Sequence, residues 1–233
     1  MTSTASFELS RIRETLLLMA SLAARHLRVA LQALTERNDS LADWVEQQDS
    51  EIDSLEVKVD DLVITYIATH SPVATDCRFV LVASKISSDL ERIGDQAVTI
   101  ARLARRLNAA PPLKLLFDIP QMAMVAEEMY RDAIDCFIEA KAKEAIGIVK
   151  RDKEVDTLNK KLSEDLLQAM REQPGSIPQA TNLLLISRAI ERIADHAKNI
   201  AEKVYYLYRA RDIRHRGKAE RSEPLPENPE DSN

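Results

Sequence analysis

Apolar residues recur along this chain at the three- and four-residue spacings of a helix that buries one face. The stretches Phe7–Arg37 and Ser40–His70 carry that period with no glycine or proline inside them. Between them, Asn38-Asp39-Ser40 offers N-capping side chains, and Ser40 and Asp43 have capping-box spacing. Ser71-Pro72 ends the second stretch, because the residue before a proline is pushed out of the α region. A third stretch runs from about Thr75 to Leu107. Asp118, as a cap with Gln121 three residues on, restarts the pattern, and a turn near Lys141–Lys143 divides it. Gln173-Pro174-Gly175 stops the fifth stretch, and Ser176-Ile177-Pro178 opens the sixth. The pattern predicts an all-α chain of six long helices.

The six stretches form two copies of one unit. Asp49-Ser50-Glu51-Ile52-Asp53-Ser54-Leu55 resembles Asp152-Lys153-Glu154-Val155-Asp156-Thr157-Leu158 at an offset of 103. Glu91-Arg92-Ile93-Gly94-Asp95-Gln96-Ala97 resembles Glu191-Arg192-Ile193-Ala194-Asp195-His196-Ala197 at an offset of 100. The three-residue slip falls at an interhelix turn, where changes of length are tolerated. The expected architecture is two tandem, pseudo-symmetric three-helix bundles, residues 1–108 and 118–214, with a linker at 109–117. The last helix is expected to reach about Arg214. Beyond it, a basic run with six Lys or Arg between Arg209 and Arg221 gives way to an acidic, proline-bearing end, and residues 215–233 read as a disordered tail.

Composition narrows the function. Four glycines leave no dinucleotide fingerprint or phosphate-cradling loop. A net charge of −6 and 4% aromatics argue against a nucleic-acid surface over most of the chain. Cys77 and Cys136 lie far apart outside any CxxC pair, and read as plain buried thiols. The N-terminus lacks the basic and apolar regions of a signal peptide, and the longest apolar run, Leu16–Ala24, is far short of a membrane span. A cytoplasmic protein without membrane insertion is expected.

The candidate chemistry lies in carboxylates. The core seam of the second helix reads as Leu41, Val45, Ile52, Leu55, Val59, Leu62 and Tyr66, and that of the third as Val82, Ile86, Leu90, Ile93, Ala97 and Ile100. Beside the first seam runs one acidic stripe, Asp49, Asp53, Glu56 and Asp60, and beside the second stand Glu91 and Asp95. The second unit repeats this with Asp152 and Asp156, then Glu191 and Asp195, while Asn159 and Ser163 replace Glu56 and Asp60. Like charges four residues apart cost a helix about 0.2–0.5 kcal/mol per pair, so four such pairs are not placed for stability alone. Facing oxygen donors suit Mg²⁺, Ca²⁺, Mn²⁺ or iron. The alternative is a solvated acidic face balanced by Arg92, Arg192, Lys58 and Lys153. No histidine follows a glutamate by three, so the Glu-x-x-His of di-iron bundles is absent. His196 is turned about 100° from Asp195 on a helix and reads as a surface residue. No nucleophile or general acid–base pattern appears, so no catalytic residue is expected.

The run Ser71-Pro72-Val73-Ala74-Thr75-Asp76-Cys77-Arg78, then Ser84-Lys85, then Asp89-Leu90-Glu91-Arg92-Ile93-Gly94-Asp95, resembles the PhoU family. Arg188-Ala189-Ile190-Glu191-Arg192-Ile193-Ala194-Asp195 is similar to that family's second motif, and the acidic helices at Asp49/Asp53 and Asp152/Asp156 match its others. The resemblance implies a bacterial accessory regulator of phosphate-specific transport rather than an enzyme. It implies multinuclear metal sites, often iron, with zinc, manganese or magnesium as variants. It further implies repression of the phosphate-starvation response through contact with the transporter's ATPase subunit and a sensor histidine kinase, and a homodimer. Arg78, which resembles the family's arginine at the helix 2–3 turn, would cap carbonyls or touch a partner; Arg92 and Arg192 carry similar partner or structural roles. Ala194 in place of the motif's glycine, Thr99 where the other repeat has Asn199, and the changes at Asn159 and Ser163 make a weaker or differently occupied second site the expectation. A carboxylate-bridged metalloenzyme and a metal-free helical scaffold are the alternatives.

Overall fold

Apolar stripes on helices must find one another, and here they do so as two triplets laid side by side. The computed structural model describes residues 3–111 and 118–214. The helices are α1 (Ser3–Thr35), α2 (Asp39–His70), α3 (Ala74–Asn108), α4 (Asp118–Glu139), α5 (Ala142–Glu172) and α6 (Ile177–Arg209), with a single 3-10 turn at Pro174–Ser176 before α6. Among the described residues there is no strand. Helices α1, α2 and α3 pack mutually, as do α4, α5 and α6, and α3 lies along α6. The expected all-α fold of two three-helix bundles is what the chain adopts.

Most helix boundaries fall within a few residues of expectation, and the differences have local causes. The cap of α2 is Asn38, whose side chain accepts from the Ser40 and Leu41 amides, so the Ser40/Asp43 capping box is not used. The α1–α2 turn also ties down α3: the Arg37 guanidinium donates to the carbonyls of Leu107, Asn108 and Ala110, the acceptors a helix end leaves open. Ser71 and Ala210 end α2 and α6 in the left-handed region at φ 45° and 52°, a conformation glycine normally supplies. Helix α6 therefore stops at Arg209 and does not reach Arg214; Ile213 beyond it is buried. The capping side chain of Asp118, residues 112–117 of the linker and the 215–233 tail lie outside the described residues.

The seam of α3 is buried at every expected position. On α2, Val45, Ile52, Leu55, Val59 and Tyr66 are buried, with Leu41 and Leu62 half-buried and Ala42 and Val63 taking up the rest of the face. Helix α3 also buries a second face, including Val80, Val98, Ala101 and Ala104. It is the shared wall of the molecule. Its polar lock is Asp89, buried, with His196 Nδ1 3.1 Å from Oδ1 and Lys203 Nζ donating to Oδ2. On the far side, the Tyr130 hydroxyl of α4 donates to the Ala20 carbonyl of α1 at 2.6 Å. The Arg13 guanidinium sits 5.2 Å from the ring centres of both Phe79 and Phe137. Both thiols are free; Cys136 is buried and Cys77 half-buried.

One glycine is explained by contact. A Cβ on Gly94 would lie 2.9 Å from Ile52 Cδ1 in the fully buried α2–α3 seam. The aligned pair in the second bundle is Ala194 and Val155, and valine lacks the methyl that would clash. The loss of the motif's second glycine is thus matched by a smaller partner. Gly94→Ala is expected to destabilise the protein by about 1 kcal/mol, overpacking outweighing the gain in helix propensity. Adding Ile52→Val should relieve the clash, giving a coupling of about 1 kcal/mol in a denaturant-unfolding double-mutant cycle. Strictly additive effects would refute this steric account.

Candidate metal centre

Each acidic face is built by two helices of one bundle. In the first, α2 carries Asp49, Asp53 and Glu56 and α3 carries Glu91 and Asp95. The core seams fix the two helices, so the residues beside the seams meet at the bundle edge. Asp49, Glu56 and Glu91 are half-buried, and Asp53 and Asp95 are exposed. Their mutual field is strong. Burial, followed by the charges of Asp95, Glu56 and Asp53, raises Glu91 from the ordinary 4.5 to about 7, against the pull of Arg92. Burial, then Asp53 and Asp95, raises Asp49, opposed by Arg102.

Two serines hold the outer end of this face. Ser88 donates to Glu56 Oε1 at 2.8 Å, and Ser84 donates to Asp60 Oδ1 at 2.7 Å. At the aligned places in the second bundle stand Arg188 opposite Asn159 and Leu184 opposite Ser163. Donor and acceptor have changed together. Ser163 turns back to the Asn159 carbonyl, and Asn159 Oδ1 is buried without a hydrogen-bond partner.

The second face, Asp152 and Asp156 on α5 with Glu191 and Asp195 on α6, differs in one decisive respect. Lys198 Nζ donates to Asp152 Oδ2 at 2.6 Å and to Asp195 Oδ1 at 3.1 Å. An internal ammonium thus bridges the two helices where the first bundle has Val98 at the aligned position. Burial raises Asp152, with Lys198 pulling the other way, and burial followed by Asp195, Asp156 and Asp152 raises Glu191. Among the described residues no three carboxylate, imidazole or thiolate groups converge closely enough to enclose an ion as the side chains lie. The first face nonetheless offers an all-oxygen donor set whose repulsion a hard cation would relieve. The second already holds a cation of its own.

The remaining predicted residues fall elsewhere. Arg78 donates to Thr75 Oγ1 at 3.4 Å one turn back, its Nε is buried without a partner, and it caps no helix carbonyl among the described residues. Arg92 is exposed beside Glu91, and Arg192 is exposed beside Glu191. His196 is not a surface residue: it is mostly buried against Asp89. Asp89 itself was not singled out by sequence reasoning, although a charge between the buried Ile86 and Leu90 was a visible signal.

A model described as the PhoU domain matches residues 16–104 and again 119–204, one match for each bundle. The chain is 35% identical over 211 residues to the phosphate-specific transport system accessory protein PhoU homolog of Pseudomonas putida, covering 90% of this chain and 82% of that protein. It is 32% identical over 210 residues to the phosphate-specific transport system accessory protein PhoU of Escherichia coli K12, covering 90% and 87%. The crystal structure of PhoU from Pseudomonas aeruginosa superposes with a TM-score of 0.86 at 33% identity, over 88% of this chain and 99% of that one. The phosphate transport system regulatory protein PhoU from Streptococcus pneumoniae superposes with a TM-score of 0.82 at 28% identity, over 90% and 99%.

The Glu91 field has a measurable consequence. Folded Glu91 keeps its proton up to about pH 7, whereas the unfolded chain releases it near 4.5. Glu91 therefore contributes stability that is present below about pH 4.5 and is lost as pH rises to about 7, while buried His26, whose pKa burial lowers from 6.5, contributes in the opposite sense. In chelator, the thermal midpoint of the wild type should fall relative to that of Glu91→Gln as pH rises over this range. An identical slope in the variant would contradict the assignment.

Proposed function

The chain belongs to the PhoU family, and from that premise we propose that it is the accessory regulator of a phosphate-specific transport system. In this reading it modulates phosphate uptake and represses the phosphate-starvation response when phosphate is plentiful. It acts by protein contact, touching the transporter's ATPase subunit and a sensor histidine kinase, as a homodimer at the cytoplasmic side of the membrane. The observation that carries the reading is the match of both bundles to the PhoU domain, over a length shared with proteins named for phosphate transport. No helix among the described residues is long and apolar enough to cross a membrane, which accords with recruitment through partners. Exposed Val57 and Ile64, seven residues apart on α2, offer apolar area for such contact.

We assign the metal-binding part of the function to the first acidic face, with Asp49, Asp53, Glu56, Glu91 and Asp95 as donors. A bound iron, manganese, zinc or magnesium ion would supply positive charge that neutralises the face. The second face, Asp152, Asp156, Glu191 and Asp195, binds more weakly because a metal must displace Lys198.

Deleting the gene in its host should make alkaline phosphatase output constitutive in high-phosphate medium, and unchanged output would sink the repressor reading. Metal content by mass spectrometry should fall in Asp53→Asn/Asp95→Asn. In Lys198→Met it should rise above wild type, because Asp152 and Asp195 lose their internal counter-ion. Equal metal content in all three proteins would remove the metal assignment and leave the regulatory one standing.

A further inference from the structure

At one end of their contact, α3 and α6 part to leave a cleft of about 300 Å³, the lower end of the range for small-ligand sites. Four arginines line it: Arg102 and Arg106 from α3, Arg188 and Arg192 from α6. Among the described residues no carboxylate lines it. Thr99 and Gln96 add uncharged polar groups, and the buried Leu103 and Ala189 form the floor. In a chain of net charge −6, this is a concentrated patch of the opposite sign.

Internal ion pairing does not account for it. Arg102 uses its Nε on Glu46 Oε2 at 3.0 Å, an arrangement that leaves its two terminal nitrogens open. Arg106 and Arg188 form no hydrogen bond or ion pair among the described residues, and Arg192 has only the field of neighbouring Glu191. Nor does the duplication account for it. An offset of one hundred residues relates Arg102 to Glu202, Arg106 to Tyr206 and Arg188 to Ser88, so only Arg192 has an arginine counterpart, Arg92. The pseudo-equivalent end of the α3–α6 contact holds the neutralised Asp89–His196–Lys203 cluster instead. The four positive charges were gathered at one end only, and they repel one another until an anion enters.

We infer that this cleft is a binding site for an anion carrying two or more linked phosphate groups. Guanidinium groups present paired N–H donors that match phosphate oxygens, and their four positive charges exceed the roughly two negative charges of one orthophosphate near neutral pH. Among the described residues no aromatic side chain lines the cleft to stack a base, so the phosphates alone are recognised, whether from an inorganic chain or a nucleotide. The site uses none of the carboxylates assigned to metal and does not rest on that assignment.

The test is calorimetric titration of the full chain with tripolyphosphate, ATP, orthophosphate and adenosine. Excess EDTA keeps metal-bridged anions at the acidic faces from contributing. Tripolyphosphate and ATP should bind with similar affinity, orthophosphate more weakly and adenosine not at all, and the affinity should fall steeply with added salt. Each arginine removed should cost about tenfold, so Arg106→Ala/Arg188→Ala should weaken tripolyphosphate by about a hundredfold, while Arg92→Ala should not. These side chains are exposed, so the fold should persist by circular dichroism; if the double variant does not fold, Arg188→Ala alone carries the test at about tenfold. Unaltered binding in the variants overturns the site. So does the absence of binding at about 1 mM anion, and polyglutamate binding under those same conditions would assign the cleft to an acidic protein segment instead.

Discussion

The antiparallel contact of α3 with α6 is the constraint on which the rest of the molecule depends. Each helix spends one face on its own bundle and a second on the other's central helix, so neither bundle has a complete surface alone. Small residues such as Ala101 and Ala104 let α3 serve two cores at once. Asp89 at the same contact is tolerable because His196 and Lys203 neutralise it; burying that charge without partners would cost several kcal/mol. The pair therefore favours one register of the two bundles over its neighbours, while apolar packing supplies most of the stability.

That central packing also decides where charge is allowed to gather. The outer edges of the α2–α3 and α5–α6 seams hold carboxylates, and one end of the α3–α6 contact holds arginines. Arg102 and Arg192 stand between the two kinds of surface, each in the field of a neighbouring carboxylate, Asp49 and Glu191. The described lining of the cleft carries charge of one sign, whereas the acidic edges hold Arg92, Arg192 and Lys198 beside their carboxylates.

Divergence of the two repeats follows the same contacts. Gly94 faces Ile52 and Ala194 aligns with Val155; Ser88 serves Glu56 while Arg188 aligns with Ser88 and Asn159 with Glu56. Substitutions on one helix are met on its neighbour. Lys198, where the first bundle has Val98, places an internal ammonium on Asp152 and Asp195.

The period of apolar residues, the proline and Asx punctuation and the internal duplication determined the six helices, their grouping and the acidic stripes, because these are local properties of each segment. The nine carboxylates were legible for the same reason: helical spacing states which side of its own helix a residue occupies. It does not state what faces that side. Asp89 with His196, Lys198 across Asp152 and the arginine cleft join residues 46 to 107 positions apart or draw on two central helices, and only the tertiary packing brought them together. The end of α6 at Arg209 was likewise decided outside local pattern, by a left-handed Ala210 that turns the chain so that Ile213 is buried.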